Sequence, residues 1–522
     1  MQAQDKPTAA STKNYLPGVG DLLFIGVCQL LLFMRPSLIF SDGSTGWHIV
    51  GGRYILDHLS VPAHDIFSFT FPQKHWVAYE WLFEAMAAGL DRLGGLPLMA
   101  VVIALALASL VLLLYQNMRK SGTPVMMALI FSIFGLLASA NHWLVRPHVF
   151  TFFGVYCFYV LLDAYWKRQE DKSLDHFPFP FPWRHLYLPL SAMMLIWVNF
   201  HPAFLLGFVL VGIYAFSACL QWIAGTSKLA AKRTGHFVLL AVILLCVILC
   251  NPYGIDLFHY IGDYLKGSTI LAQTDEFKSP NFKGNIHAIC LEILFAFLVF
   301  GLYLRGAGSI TLPSTLCLIV FAFMALSSQR NIPLFALICL PCLGHLFAGA
   351  NKLYTALTQR LPDRLKASIR DFGVTEGQST MHILPIVYGL ILVVMAMTAG
   401  NKSIKADFDV ETAPSETLVY LERNKGVIKA QKLLALDNWG GILSYRLGMP
   451  VYIDDRADFY GQDFYSRYGV ICEARPGYER LLREAGLDYV LFPRESTLLA
   501  RLKADGWKTL AEDRASTLVA RP

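Results

Sequence analysis

Residues 41–84 read SDGSTGWHIVGGRYILDHLSVPAHDIFSFTFPQKHWVAYEWLFE, and an apolar stretch at 20–40 runs directly into them. That stretch is long enough to cross a hydrocarbon core of roughly 30 Å. A loop rich in acids, histidines and tryptophans therefore begins at the water end of a membrane span. Ionisable groups at such a position are kept only where they face a cavity or a partner, because exposure to lipid costs several kcal/mol.

Outward from this loop the chain repeats the signal. Hydrophobic residues make up 55% of the 522 and charged residues 16%, far from the balance of a soluble globular chain. Further spans are predicted at 97–116, 123–140, 149–166, 186–200, 203–224, 236–251, 286–304, 310–327, 331–349 and 382–400, eleven in all. No small-residue cleavage pattern follows the first span, so a removable leader is not expected.

Lys and Arg in short loops set orientation. With Lys6 and Lys13 on the cytoplasmic side, Arg119, Lys120, Lys167, Arg168, Lys232, Arg233, Arg305 and the basic residues of 352–370 fall inside too. The net charge of +6 is largely this topological signal, so no nucleic-acid partner is expected. Nine of ten cysteines lie in apolar stretches and Cys472 alone lies beyond residue 400, which neither supports nor excludes an oxidising compartment. No Cys/His metal spacing, Walker-type loop or internal repeat is present.

Sorted by side, the chemistry falls on the outer face. It includes Asp42, His48, Asp65, Glu80 and Glu84, NHWLVRPH at 141–148, VNFHP at 198–202, NPYG at 251–254, DEFKSPNF at 275–282 and SSQRNIP at 327–333. A water-filled cavity walled by first-loop acids with Arg146, His148, His201 and Arg330 houses these groups. Trp76–Leu93 has helical periodicity, with Tyr79, Leu82, Phe83, Met86, Leu90 and Leu93 on one face and Glu80, Glu84 and Asp91 opposite. It is expected to lie in the interface, its acidic face toward the cavity.

Asp42 just beyond the first span, WHIVGGRYIL, VPAHDIFSFT and WVAYEWL together resemble the first outer loop of the GT-C class of polytopic glycosyltransferases. More closely, the chain resembles a bacterial family within that class, through RPH, NFHP, NPYG, EFKSP, QRNIPLF, DNWGG and YIDDRADFYG in that order over nearly its whole length. The resemblance implies transfer of a sugar from a polyprenyl-phosphate donor at the outer face of the bacterial inner membrane, usually with inversion, to a glycan, lipid or protein acceptor.

The same resemblance places the class's essential first-loop acid at Asp42, with Asp65 the second acid of the loop. An acceptor hydroxyl must shed a proton as it attacks, and a carboxylate within hydrogen-bond reach is the natural base. Asp42, Asp65 and Glu80 are the catalytic candidates, with His48, His148 and His201 beside them as substrate-binding candidates. Arg146 and Arg330 suit the phosphate of the leaving group, since a guanidinium meets an oxygen pair two-pronged; Arg330 has no acidic neighbour along the chain. The WWD-type acceptor motif of oligosaccharyltransferases is missing and Asp42 is not one of an adjacent acidic pair. Metal dependence and acceptor are therefore not carried over: no metal ligands are assigned, and a divalent cation stays open as cofactor.

Plainer readings compete. Asp42 stands where a cap for a helix from Ser44 belongs, Asp65 where an Asx turn belongs, Glu80 on a water-facing side, and the histidines beside aromatic and proline neighbours. A flippase for a lipid-linked glycan would also be polytopic, but would carry charges deep in its spans. A non-catalytic scaffold of the same shape would tolerate Asp42→Asn.

The expected organisation is a cytoplasmic tail (1–19), a membrane domain (20–400, first outer loop 41–96) and a periplasmic α/β domain (401–522). In that last domain 432–437, 449–454 and 487–492 are expected strands, and the segments from Gln462 and Gly477 expected helices. NWGGI at 438–442 reads as a strand-to-helix corner, or as an anion-binding turn. Asp454, Asp455, Arg456 and Asp458 read as internal ion pairs, or as a sugar- or partner-binding cluster.

Overall fold

A computed structural model describes residues 17–170, 183–266, 275–350, 359–367, 383–398 and 404–522. Each of the eleven expected spans coincides with an apolar helix, from Val19–Gln29 to Ile383–Thr398. Among the described residues six helices are long and apolar enough to cross a membrane and four apolar helices are shorter; the chain is a multi-pass membrane protein with a soluble C-terminal domain. Helices are the natural solution, because in hydrocarbon every backbone N–H and C=O must be satisfied within its own segment.

Local sequence sets where these helices begin. Thr311 accepts the N–H of Ser314 ahead of Leu312–Ser327, and Asn285 accepts that of His287 ahead of Ile286–Arg305. Pro333 opens Ile332–Leu346, whose residues are nearly all buried, making it the innermost helix of the bundle.

The expected span 97–116 is the second half of a longer helix, Trp81–Lys120, broken at Gly95 (φ 65°, ψ −164°). Residues before the break form the expected amphipathic arm, beginning at Trp81 just after Glu80, whose side chain makes no capping bond. One expectation for this arm is corrected: its acidic face packs onto the loop helix Ser44–His58, and only Glu80 reaches the cavity. Glu84 is buried there beside Gly51 and Gly52, and Asp91 receives Arg53 Nη2 at 2.7 Å and Tyr445 Oη at 2.8 Å.

The soluble domain holds a mixed sheet of β1 (Leu433–Ala435), β2 (Tyr489–Pro493), β3 (Lys508–Glu512) and β4 (Ser516–Ala520) in the order β1-β2-β4-β3, with β1 and β2 parallel and the other pairs antiparallel. Gln462–Cys472 and Tyr478–Glu484 are helical, as the sequence indicates. The 449–454 segment is not a strand of this sheet. Val451 instead exchanges backbone bonds with the first loop, donating to Phe67 O (2.9 Å) and accepting from Phe69 N (3.0 Å), so its apolar residues are buried by a partner far away in sequence.

That pairing is one part of a broad seam between the first loop and the soluble domain. NWGG opens the helix Asp437–Leu447, which follows β1 and crosses the loop helix at backbone contact. A Cβ on Gly46 would lie 2.2 Å from Gly441 O, and one on Gly441 would lie 2.4 Å from Gly43 O. The glycines therefore serve close approach. Arg456 closes the seam, donating to Asp65 Oδ1 (2.7 Å) and Asp454 Oδ2 (2.8 Å) within a ring of Phe67, Trp76 and Phe459.

Candidate active site

Where the soluble domain meets the bundle there is a cavity of about 470 Å³, a size that suits a small-molecule site. Its wall is drawn from remote parts of the chain: Trp47, Lys74 and Glu80, then Arg146 and His148, His201, Tyr260, Glu276 and Arg330, and finally Asp455 and Asp458.

Arg146 lies in the turn before the helix His148–Glu170, where Pro147 holds the preceding backbone out of the helical region. Its Nη1 donates to Asp42 Oδ2 at 2.7 Å. Arg330 sits in the 3-10 turn Gln329–Asn331, its Nη1 3.0 Å from Glu276 Oε1 and its guanidinium 5.0 Å from the Phe277 ring centre. The fold thus supplies Arg330 with the acid that its neighbours in sequence lack. Each pair uses one nitrogen of a guanidinium that carries five N–H donors, so both arginines retain capacity for an anion.

Glu80 faces the cavity between two imidazoles. His201 Nε2 lies 3.7 Å from Oε1 and His48 Nε2 3.8 Å from Oε2. Burial pushes the Glu80 carboxyl up to about 8, with Arg146 and Arg330 partly opposing it. His201 accepts the N–H of Ala203 on Nδ1 (3.3 Å), which leaves its proton on Nε2, toward Glu80. Thr151 Oγ1, itself receiving Trp197 Nε1 at 3.0 Å, lies 2.9 Å from the same Nδ1. Burial, with Arg330 and His148 nearby, keeps His201 well below the usual imidazole range. His148 donates from Nε2 to His142 O at 2.7 Å.

The soluble domain adds two acids. Asp455 Oδ1 receives Trp47 Nε1 at 2.8 Å, and burial and the nearby Asp42 raise its carboxyl, against Arg146. Asp458 receives the Tyr260 hydroxyl, and burial lifts it to about 6, against its own backbone bonds and Lys74.

Of the residues singled out in the sequence, Glu80, Arg146, His148, His201 and Arg330 line the cavity, as do Asp455, Arg456 and Asp458 of the C-terminal cluster. Asp42, Asp65 and His48 stand behind its wall. Asp42 Oδ1 accepts the backbone N–H (2.9 Å) and hydroxyl (2.8 Å) of Ser44 while Oδ2 holds Arg146. Asp65 accepts Ser68 N (2.8 Å), Ser68 Oγ (2.6 Å) and Arg456. NPYG is an Asx turn, Asn251 Oδ1 receiving Tyr253 N at 2.8 Å, and the Tyr253 hydroxyl braces the first loop at Ala78. Lys74, Tyr260 and Glu276 are cavity residues that were not named from sequence. Tyr260 rides on a helix, Asp256–Lys266, in a stretch to which no element was assigned from sequence; its strong amphipathic pattern was the available signal. Among the described residues no group of three or more His, Cys, Asp or Glu is arranged to hold a metal ion.

No family model matches the chain, and no curated protein matches it in sequence. Solved structures match it in fold. The oligosaccharyltransferase of Archaeoglobus fulgidus in its apo form matches over 91% of this chain and 69% of its own, with 9% identity and a TM-score of 0.56. The same enzyme tethered to an acceptor peptide containing the NVT sequon matches over 91% and 68%, with 11% identity and a TM-score of 0.57. ArnT from Cupriavidus metallidurans in the apo state matches over 96% and 97%, with 13% identity and a TM-score of 0.50. The fold is that of the GT-C class: a polytopic helical bundle carrying a C-terminal domain of mixed sheet and helices.

Proposed function

We propose that this protein transfers a sugar from a polyprenyl-phosphate donor to a glycan, lipid or protein acceptor, at the outer face of the bacterial inner membrane with the domain 401–522 in the periplasm. One observation carries the reading: a cavity at one end of a GT-C-type bundle whose wall sets Arg146 and Arg330 beside the buried carboxyl of Glu80. The arginines receive the donor phosphate and hold the charge that grows on it as the bond to the sugar breaks. Glu80 takes the proton of the acceptor hydroxyl as its oxygen bonds to the anomeric carbon. Attack opposite the leaving phosphate inverts that carbon. Asp455 and Asp458 accept hydrogen bonds from sugar hydroxyls.

A second reading puts the base on Asp42, favoured by its bond to Arg146. A phosphate arriving at Arg146 competes for the guanidinium and releases the Asp42 oxygen.

The test is release of polyprenyl phosphate from a panel of polyprenyl-phosphate sugars by protein in nanodiscs, with Glu80→Gln, Asp42→Asn and Arg330→Ala alongside. Acceptor-stimulated release, abolished in Glu80→Gln with donor binding retained, supports the reading. Donor binding without turnover in the wild type points instead to a scaffold, and movement of intact donor between leaflets to a flippase.

A further inference from the structure

Two groups behind the cavity wall take no part in the reaction as described. Glu84, one helical turn beyond Glu80, is 1% exposed, and neither of its carboxyl oxygens has a hydrogen-bond partner. His48 is fully buried and neither ring nitrogen has one. The imidazole stands between the two carboxyls, with Nδ1 3.8 Å from Glu84 Oε1 and Nε2 3.8 Å from Glu80 Oε2. Phe83 and Trp47 close over the ring at 5.2 and 3.7 Å between centres.

Charge decides where the protons sit. A carboxylate withdrawn from water without a donor costs several kcal/mol. The charged groups facing Glu84 are Glu80, of like sign, and Arg456, which is already committed to Asp65 and Asp454. His48 faces Arg146, Arg456 and His148, which with burial keep it neutral. Glu80 faces Arg146, Arg330 and Asp458. The negative charge that the group acquires as pH rises through about 8 therefore belongs on Glu80, at the cavity, and a neutral Glu84 has a proton to give to the nearest acceptor.

We infer that Glu84 is a neutral carboxylic acid donating to His48 Nδ1, so that His48 turns Nε2–H toward Glu80, and that both are positioning residues for the proposed transfer. The inference rests on the reading of Glu80 as base. Glu80 is then flanked by an imidazole N–H on each oxygen, from His48 and from His201. Each gap closes to hydrogen-bond length with about 1 Å of movement. When the acceptor oxygen bonds to the anomeric carbon and the phosphate leaves, the acceptor's proton stays on Glu80. The four-residue unit passes from one negative charge to none, and the tautomers do not change.

The experiment compares Glu84→Gln, Glu84→Leu and His48→Phe in nanodiscs by the pH profile of turnover. A glutamine amide can donate as the acid does, so Glu84→Gln keeps turnover within about threefold and leaves the rising limb in place. Glu84→Leu and His48→Phe remove a donor chain that favours ionised Glu80, and move the limb up by about one pH unit with donor KM unchanged. An unmoved limb in folded Glu84→Leu, or the same shift in Glu84→Gln, overturns the inference. Difference infrared spectroscopy reads the proton independently of turnover: a neutral carboxylic C=O band at pH 9, above the Glu80 transition and removed by Glu84→Gln, is expected. Its absence overturns the inference, whereas its presence in a protein that turns over no donor keeps the protonation state and removes the proposed reaction.

Discussion

Asp42 Oδ2 receives Arg146 Nη1 at 2.7 Å while Asp42 Oδ1 receives the backbone N–H of Ser44. A single side chain both closes the Asx turn that leads into the loop helix and holds a cavity-wall guanidinium in place. Turn closure and charge pairing are separable by substitution, because an amide can still accept from Ser44 but cannot neutralise an arginine.

Asp42→Asn is expected to raise donor KM about tenfold or more, the scale of one lost charge-assisted bond, with little change in stability. Asp42→Ala adds a loss of about 1 kcal/mol from the missing turn bond. Steady-state kinetics and thermal unfolding of the two variants check this. A fall in kcat of at least about 100-fold in both would instead give Asp42 the base's role.

Glu80 ties activity and stability to pH in opposite senses. Its carboxyl is raised to about 8 in the folded protein, against about 4.3 in an unfolded chain. As a base it works ionised, so kcat/KM should climb with pH and reach half its plateau near 8. The sign for stability is the reverse: the contribution from the neutral buried form is complete below the unfolded value and disappears as pH rises through the folded one. Thermal unfolding should therefore show Glu80→Gln more stable than wild type at pH 9, with the gap narrowing as pH falls and closing below about pH 4.

Gly46→Ala places a methyl 2.2 Å from Gly441 O, a backbone atom that cannot swing aside. The seam should open at a cost of about 1–3 kcal/mol or more, seen as faster proteolytic release of the soluble domain. Gly469, in Gln462–Cys472 with nothing within 4 Å of an added Cβ, is the control. Gly469→Ala should be stabilising by about 1 kcal/mol.

Arg456→Met fills similar space but strands Asp65 and Asp454, both buried. Removing one partner of a buried ion group costs about 3–5 kcal/mol, so a large drop in unfolding temperature is expected. Arg456→Lys should recover only part of it, since a lysine cannot bridge both carboxylates in the guanidinium's plane.

The bundle was legible because lipid allows one answer to a long apolar run, and the clustering of Arg146, His201 and Arg330 with the first loop followed from sorting loops by side. What stayed hidden were relationships that no local pattern carries. MPVYID alternates like a strand, yet nothing in it tells that its backbone partner is Phe67 to Phe69. Glu276 and Arg330 are ordinary loop residues until the fold joins them. The acids of YIDDRADFYG divide between two roles, Asp454 binding Arg456 and Asp455 and Asp458 facing the cavity, because a turn after Asp454 sends successive side chains to different sides of the wall.

The cavity's last wall, Asp455 to Gln462, follows the whole membrane bundle in the chain and is made after it. Until that segment is in place and the helix before it, Asp437–Leu447, is seated against Gly43 and Gly46, the arginines and Glu80 face an open trough rather than an enclosed site. A ribosome that has translated only the bundle therefore carries a cavity without this wall, and under the proposed function the site is completed only once the soluble domain has folded back onto the first loop.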